Sequence, residues 1–178
     1  VDKIKEAAKE DREDSCFSIV SVGRLEPEKA FERAIRVAKR LKDDGLMFRW
    51  EFIGDGYLKK DLETLIQSLH LEKRVVLAGY KKSPYSSVKS ADLFALFSYY
   101  EGLPNTVYEA LILGVPVAAT HVGGIAEQVE HEVTGWLIDN DEESIYQELK
   151  KIVANKKGIA AMKNNLKEYR FDVDHIHR

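Results

Sequence analysis

The chain has 178 residues, of which 44% are hydrophobic and 32% charged, and its formal net charge is -3. This length suffices for one compact domain with a full-sized core. The near-neutral charge argues against nucleic acid as the main partner, because binding to the phosphate backbone needs an excess of Lys and Arg. The single cysteine, Cys16, excludes an internal disulfide and suits a reducing compartment, so we expect a cytoplasmic protein. No apolar run approaches the length of a membrane span.

The distribution of charge divides the chain into three regions. Residues 1–14 are mostly charged or small and are predicted to be the end of a linker or a solvated helix. Residues 15–170 carry the apolar segments and are predicted to form one domain, and residues 171–178 are predicted to be a polar tail. Because the chain has no initiator Met and no signal-peptide pattern, we expect it to be a piece of a longer protein.

Apolar segments typical of strands alternate with amphipathic segments that have helical spacing. In chain order we predict a strand at 17–22, a helix at 29–42, a strand at 48–53, a helix at 58–69, strands at 74–78 and 92–97, a helix at 104–113, a strand at 115–119, a short helix at 124–130, a strand at 136–138, a helix at 145–153 and a final helix from 157. The continuously apolar strands at 92–97 and 115–119 are typical of strands buried on both faces. The pattern predicts an α/β fold, a Rossmann-like doubly wound parallel sheet in a single domain.

Ligands of such sheets bind at the carboxyl ends of the strands, so the segments after the strands are the candidate site. Arg24 and Lys29 follow the first strand and can converge on an anion, Arg with a planar fork and Lys as a point charge. The alternative is two surface cations beside Glu26 and Glu28, and these residues taken alone favour that alternative.

Glycine turns follow two other strands. Gly54 and Gly56 match the first two glycines of a dinucleotide-binding fingerprint, but the third would fall at Lys59 and the segment follows the second strand. A turn that begins a helix is therefore favoured, although the bare backbone would also let a ligand approach closely. Gly123 and Gly124, after the fifth strand, favour a flexible turn in the same way.

The segment after the fourth strand, from Glu101 to Glu109, carries the strongest functional signal. Pro104 and Asn105 suit the first turn of a helix, whose N-terminus would point unpaired N–H groups at the strand ends and favour a phosphate there. Carboxylates on both sides of an anion suit a ligand with hydroxyls next to its phosphates. Thr106 and Glu109, however, have capping-box spacing, so Glu109 could instead satisfy backbone N–H groups. The residues alone leave these two interpretations in balance.

Two Asp-x-Asp spacings, Asp139 with Asp141 and Asp172 with Asp174, are the remaining candidates for a metal site. The first suits the polar turn before a helix, and the second lies in the tail. We therefore expect no metal ion and no other cofactor.

Taken in order, these motifs resemble those of glycosyltransferase family 4, over a span from Ser18 to Leu149. The matching motifs are Gly23-Arg24-Leu25 with Lys29, Gly54-Asp55-Gly56, Glu101 and Glu109 with seven residues between them, Gly114-Val115-Pro116-Val117, Val122-Gly123-Gly124 and Thr134-Gly135. The Glu-Gly-Leu-Pro-Asn…Glu-Ala-Leu segment is highly specific, whereas the other motifs are individually weak but correctly ordered.

The resemblance implies the C-terminal, donor-binding half of a GT-B fold in a retaining glycosyltransferase. Such an enzyme moves a hexose-type sugar from a nucleoside diphosphate sugar to a saccharide or lipid-linked acceptor. The acceptor-binding N-terminal domain would lie outside this chain and could contact the inner face of the membrane, and this chain alone would be inactive. The alternatives are another GT-B nucleotide-sugar enzyme, such as an epimerase, and a non-enzymatic nucleotide-binding Rossmann domain.

The resemblance also implies roles for individual residues. Arg24 and Lys29 would clamp the donor diphosphate, and Glu101 would contact the transferred sugar. The ribose hydroxyls would bind Glu109, and the base would lie against residues 79–81. The implied donor-binding residues are Gly23, Gly54, Gly56, Gly79, Tyr80, Gly102, Leu103, Pro104, Asn105, Thr106 and Glu109.

Two residues depart from the family pattern. Ala30 stands where the family usually has Gly, and His121 where it often has Asp. We expect Ala30 only to tighten the start of the following helix, and His121 to alter the shape of the sugar pocket.

Overall fold

The computed structural model describes residues 16–169, so the predicted linker at 1–14 and the predicted tail at 171–178 lie outside the described residues. Six strands form one sheet: β1 (Phe17–Val22), β2 (Phe48–Ile53), β3 (Val75–Gly79), β4 (Leu93–Leu96), β5 (Val117–Thr120) and β6 (Gly135–Ile138). Every pair of neighbouring strands is parallel, and the order is β3-β2-β1-β4-β5-β6. This order confirms the predicted Rossmann-like, doubly wound parallel sheet.

The helices connect the strands in the expected alternation. They are α1 (Phe31–Asp43), α2 (Lys59–Ser68), α3 (Tyr85–Ser90), α4 (Asn105–Ile112), α5 (Ile125–Gln128), α6 (Glu142–Ala154) and α7 (Lys156–Glu168). All of them except α3 were predicted from the sequence. The sequence gives no apolar periodicity for α3, because only one of its six residues, Val88, is buried.

Two apolar cores lie on opposite faces of the sheet. Alternate residues of β2, Phe48, Trp50 and Phe52, belong to one core together with apolar residues of α1, α2 and α6. The other core joins β4 and β5 to α4 and α5, and it includes Phe94 and Val107. Complete burial of each such side chain stabilises the fold by roughly 1.5–3 kcal/mol, which is why both faces of the sheet are covered.

The chain reverses its direction of progress across the sheet between β1 and β4. From β1 it moves outward through β2 to β3, and it then returns to place β4 against the other side of β1. The loops after β1 and β4 therefore lead to helices on opposite faces of the sheet, and doubly wound sheets bind ligands in the crevice between two such loops.

The start of α1 differs from the expectation. A short 3-10 turn covers Pro27–Lys29, Ala30 then adopts the left-handed conformation with φ 53°, and α1 begins at Phe31. The expectation that Ala30 only tightens the helix start is therefore wrong, because Ala30 separates two helical turns. A left-handed residue other than Gly costs roughly 1–2 kcal/mol, and burial of the Ala30 methyl, in a residue that is 3% exposed, offsets part of that cost.

Candidate functional site

An ion pair joins the two sides of the crevice between β1 and β4. The Nζ of Lys29, in the loop after β1, lies 2.6 Å from Oε1 of Glu101, in the loop after β4. The same Oε1 accepts a hydrogen bond of 2.6 Å from the Ser98 hydroxyl. The two charged side chains are only 18% and 7% exposed. Within the described residues, Oε2 of Glu101 has no hydrogen-bond partner.

A second contact holds the same two loops together. The backbone N–H of Tyr99 donates to the carbonyl of Glu28 at 2.8 Å. The Thr120 hydroxyl, at the end of β5, donates to the carbonyl of Ser98 at 2.7 Å. The loop that carries Glu101 is therefore tied to the strands on both of its sides, so its carboxylate has a defined position.

Arg24 lies apart from this pair. Its side chain is 69% exposed and forms ion pairs with Glu26 at 3.1 Å and Glu28 at 3.4 Å. Arg24 is thus a surface cation beside Glu26 and Glu28, as the alternative interpretation predicted, whereas Lys29 is mostly buried and pairs with Glu101. Arg24 would have to leave its two carboxylates to reach a ligand phosphate in the crevice.

The glycine turns after β2 and β5 are approached closely by the chain's own backbone. A Cβ on Gly54 would lie 1.8 Å from the carbonyl oxygen of Gly23, and one on Gly56 would lie 2.4 Å from that of Leu25. The N–H of Gly124 donates to the carbonyl of Gly102 at 2.7 Å. These glycines let the loops at neighbouring strand ends pack closely against each other. The sequence suggested that a ligand could approach these glycines, but the backbone of the chain itself does so.

The helix after Glu101 begins two residues earlier than the capping-box interpretation requires. Pro104 is the N-cap of α4, no side chain caps the helix, and Asn105 is its first helical residue. Thr106 therefore lies inside the first turn. The Glu109 carboxylate accepts a hydrogen bond from the hydroxyl of Tyr85 at 3.3 Å, so the capping-box interpretation of Glu109 is wrong.

Tyr85 is a residue that sequence analysis missed. It is the first residue of α3, and its side chain is 46% exposed. The negative charge of Glu109, together with the hydrogen bond between the two side chains, raises the pKa of Tyr85. No periodicity marks α3, so the sequence carried no signal for this contact.

Arg33 and Asn140 were missed as well. The buried Arg33 guanidinium, on α1, donates to the carbonyls of Phe97 at 2.5 Å and Ser98 at 3.4 Å. It also donates to Oδ1 of Asn140 at 2.9 Å and lies 4.2 Å from the ring centroid of Tyr99. Burial lowers the pKa of Arg33. These contacts hold the chain where it leaves β4, just before Glu101.

The remaining predicted residues lie along the same edge of the sheet. Gly79 ends β3 with φ 74° and nothing near a hypothetical Cβ, and Tyr80 after it is 75% exposed. Leu103 is 44% exposed, and a Cβ on Gly102 would meet open space. His121 is exposed, and its backbone N–H donates to the carbonyl of Ile138 at 2.8 Å.

Two properties bear on metals and membranes. Between residues 16 and 169, no three His, Cys, Asp or Glu side chains are grouped so that they could hold a metal ion. Asp172 and Asp174 lie outside the described residues. No helix in the described part of the chain combines the length and the apolar character that crossing a membrane requires.

Comparison with known proteins gives consistent relatives. The chain is 37% identical over 144 residues to the putative colanic acid biosynthesis glycosyltransferase WcaL of Escherichia coli K12, an alignment that covers 75% of this chain and 35% of WcaL. It is 36% identical over 151 residues to N-acetylgalactosamine-N,N'-diacetylbacillosaminyl-diphospho-undecaprenol 4-alpha-N-acetylgalactosaminyltransferase of Campylobacter jejuni, which covers 84% of this chain and 40% of that protein. The chain thus spans well under half the length of either relative.

Structural similarity leads to the same group of proteins. TarM of S. aureus, in a crystal structure that contains UDP and alpha-GlcNAc-glycerol, superposes with a TM-score of 0.79 at 25% identity, covering 86% of this chain and 32% of TarM. The family model described as glycosyl transferases group 1 matches residues 2–169. That match covers nearly the whole chain, which therefore belongs to the group 1 glycosyl transferase family.

Proposed function

We propose that this chain is the donor-binding domain of a retaining glycosyltransferase, the C-terminal half of a GT-B enzyme. The complete enzyme moves a hexose-type sugar from a nucleoside diphosphate sugar to a saccharide or lipid-linked acceptor in polysaccharide or glycolipid biosynthesis. The observation that carries the proposal is the Lys29–Glu101 ion pair, which lies in the crevice between β1 and β4. A cation and a carboxylate side by side suit a ligand that has a phosphate next to hydroxyl groups.

Lys29 supplies the positive charge for the donor diphosphate. During transfer the bond from the anomeric carbon to the diphosphate breaks, and its electron pair leaves with the phosphate. Lys29 and the backbone N–H groups at the N-terminus of α4 stabilise that growing negative charge. Arg24 can add a second cation once it leaves Glu26 and Glu28. With these charges in place, the proposed reaction needs no metal ion and no other cofactor.

Glu101 positions the transferred sugar. Because Oε1 already accepts from Lys29 and Ser98, Oε2 is the oxygen that accepts from a sugar hydroxyl. The acceptor hydroxyl forms the new bond to the anomeric carbon on the face from which the diphosphate leaves. Because the new bond forms on that face, the configuration is retained and no protein nucleophile is required. The proton of the acceptor hydroxyl passes to the leaving phosphate.

The relatives support this choice of substrates. TarM has been crystallised with UDP, and the name of the Campylobacter jejuni relative describes a transferase that acts on a diphospho-undecaprenol-linked saccharide. A uridine diphosphate sugar is therefore the first donor to test. Since both sequence relatives are more than twice as long as this chain, we assign the acceptor to a second domain. We expect that domain to bring the complete enzyme to the cytoplasmic face of a membrane.

Titration calorimetry of this chain with UDP, GDP and ADP tests the proposal directly. We expect weak binding of one nucleotide and no sugar transfer, because this domain supplies one wall of the cleft. Lys29→Met should abolish the binding, whereas Lys60→Met, an exposed lysine on α2, should leave it unchanged. If the complete enzyme binds none of the three nucleotides, or if Lys29→Met binds as well as the unaltered chain, the proposal is wrong.

A further inference from the structure

We propose that Tyr85 is a positioning residue of the donor site, whose hydroxyl holds the Glu109 carboxylate in place to receive the ribose hydroxyls of the nucleotide. The inference rests on the proposed function and on the role in binding the ribose that the family resemblance implies for Glu109. It adds a residue from a different helix, one that lies outside every motif of the sequence.

The position of Tyr85 is defined by two segments of the site. The base is proposed to lie against residues 79–81, which begin at the last residue of β3. Residues 80–84 connect β3 to α3, and Tyr85 begins α3. Its Oη donates to Oε1 of Glu109, which lies on the neighbouring helix α4, at 3.3 Å. Tyr85 therefore stands between the proposed base segment and the proposed ribose carboxylate.

The contact leaves part of the Glu109 carboxylate available. Among the hydrogen bonds of residues 16–169, the only one to this carboxylate is that from Tyr85, and it engages Oε1. A carboxylate has about four lone-pair sites, so Oε2 and the remaining site on Oε1 can accept from two adjacent hydroxyls. Without the Tyr85 hydroxyl, the half-buried Glu109 side chain would sample several rotamers, and a ligand would have to select one of them.

The hydroxyl remains a donor at neutral pH. The charge of Glu109 raises the pKa of Tyr85 above its ordinary value near 10, so the phenol keeps its proton at neutral pH. A role limited to packing α3 against α4 would depend on the ring, which Tyr and Phe share. Removal of the hydroxyl alone therefore separates positioning from packing.

The experiment compares Tyr85→Phe with Tyr57→Phe, a matched change at a tyrosine that is 72% exposed in the turn after β2. The probes are UDP and 2′,3′-dideoxy-UDP, whose Kd values are measured by calorimetry. We expect Tyr85→Phe to raise the Kd for UDP about three- to tenfold, as fits one partly exposed hydrogen bond to a charged group. The Kd for the dideoxy nucleotide should stay unchanged, and Tyr57→Phe should alter neither value.

A double-mutant cycle with Glu109→Gln completes the test. In that background Tyr85→Phe should cause no further loss of UDP affinity, because the charged acceptor is already gone. If Tyr85→Phe leaves the UDP affinity unchanged, tightens it, or weakens both probes equally, the positioning role is wrong. The proposed function fails separately, and the inference with it, if the unaltered protein binds neither UDP nor the other nucleoside diphosphates.

Discussion

In the turn after β5, Gly123 packs against the backbone of the loop that carries Glu101, and we predict that Gly123→Ala damages both stability and donor binding. A Cβ at Gly123 would lie 1.7 Å from the carbonyl oxygen of Glu101 and 2.8 Å from its carbonyl carbon. Since carbon–oxygen contacts normally need about 3.3 Å, one of the two backbones must move by roughly 1.5 Å. Both atoms belong to the main chain, so no side-chain rotation can relieve the overlap.

Gly114→Ala provides the matched control. Gly114 and Gly123 both have positive φ, 77° and 52°, but nothing lies within 4 Å of a Cβ at Gly114. Left-handed backbone costs each alanine roughly 1–2 kcal/mol, and the stiffer unfolded chain returns about 0.4–1 kcal/mol. Overpacking adds about 1–3 kcal/mol at Gly123 alone. We therefore expect a loss of about 0–1.6 kcal/mol for Gly114→Ala and a loss about 1–3 kcal/mol larger for Gly123→Ala.

The functional effect follows from the displacement of Glu101. Its carboxylate lies 2.6 Å from Lys29 Nζ, and a misplacement of about 1 Å in an active site can lower the rate about 100-fold. Urea unfolding of both variants gives the stabilities, and sugar transfer by the complete enzyme gives the activities. If Gly123→Ala matches Gly114→Ala in both measurements, the loop after β4 does not depend on this glycine.

Three further predictions concern other contacts. Lys29→Met leaves Glu101 without its cation. Breaking a fully buried ion pair costs about 3–5 kcal/mol, so for this partly exposed pair we expect the free energy of unfolding in urea to fall by about 2 kcal/mol. An unchanged urea midpoint would contradict this prediction. Arg33→Met removes the donor to the buried carbonyl of Phe97 and to Oδ1 of Asn140. It should also cost about 2 kcal/mol in the same measurement, and a neutral result would show that the Phe97 carbonyl finds another donor. The hydrogen bond from Tyr146 is the main cause that lowers the pKa of Asp44, so the stability it contributes is present above the unfolded pKa of about 3.9 and is lost as pH falls through the folded value. NMR titration should show the pKa of Asp44 rising in Tyr146→Phe, and no rise would refute the cause.

The sheet was predictable because its strands bury regular apolar patterns. Phe48, Trp50 and Phe52 alternate along β2 and all project into one core, while the short runs of β4 and β5 are buried at every residue. The helix α3 was not predictable, since Val88 is its one buried residue. Periodicity reports burial, so an element that buries almost nothing leaves no periodic trace.

The candidate site was predictable as a set of strand ends but not as a set of contacts. Lys29 and Glu101 are separated by 72 residues, and each could be identified from its local motif. Their pairing depends on β1 and β4 being neighbours, which local pattern does not specify. The same holds for the glycines: Gly54 was recognised as a tight turn, but the backbone that approaches it belongs to Gly23, 31 residues earlier.

Glu109 shows why local spacing can mislead. Its distance of three residues from Thr106 satisfies the capping-box rule, but that rule requires Thr106 to be the N-cap, and the N-cap is Pro104. The helix starts early because Pro, which lacks an N–H and has a fixed φ, is suited to the first positions of a helix. With the backbone N–H groups out of its reach, the carboxylate of Glu109 takes the Tyr85 hydroxyl as its partner. The hydrogen-bond partner of Glu109 thus comes from α3, the helix that could not be predicted from the sequence.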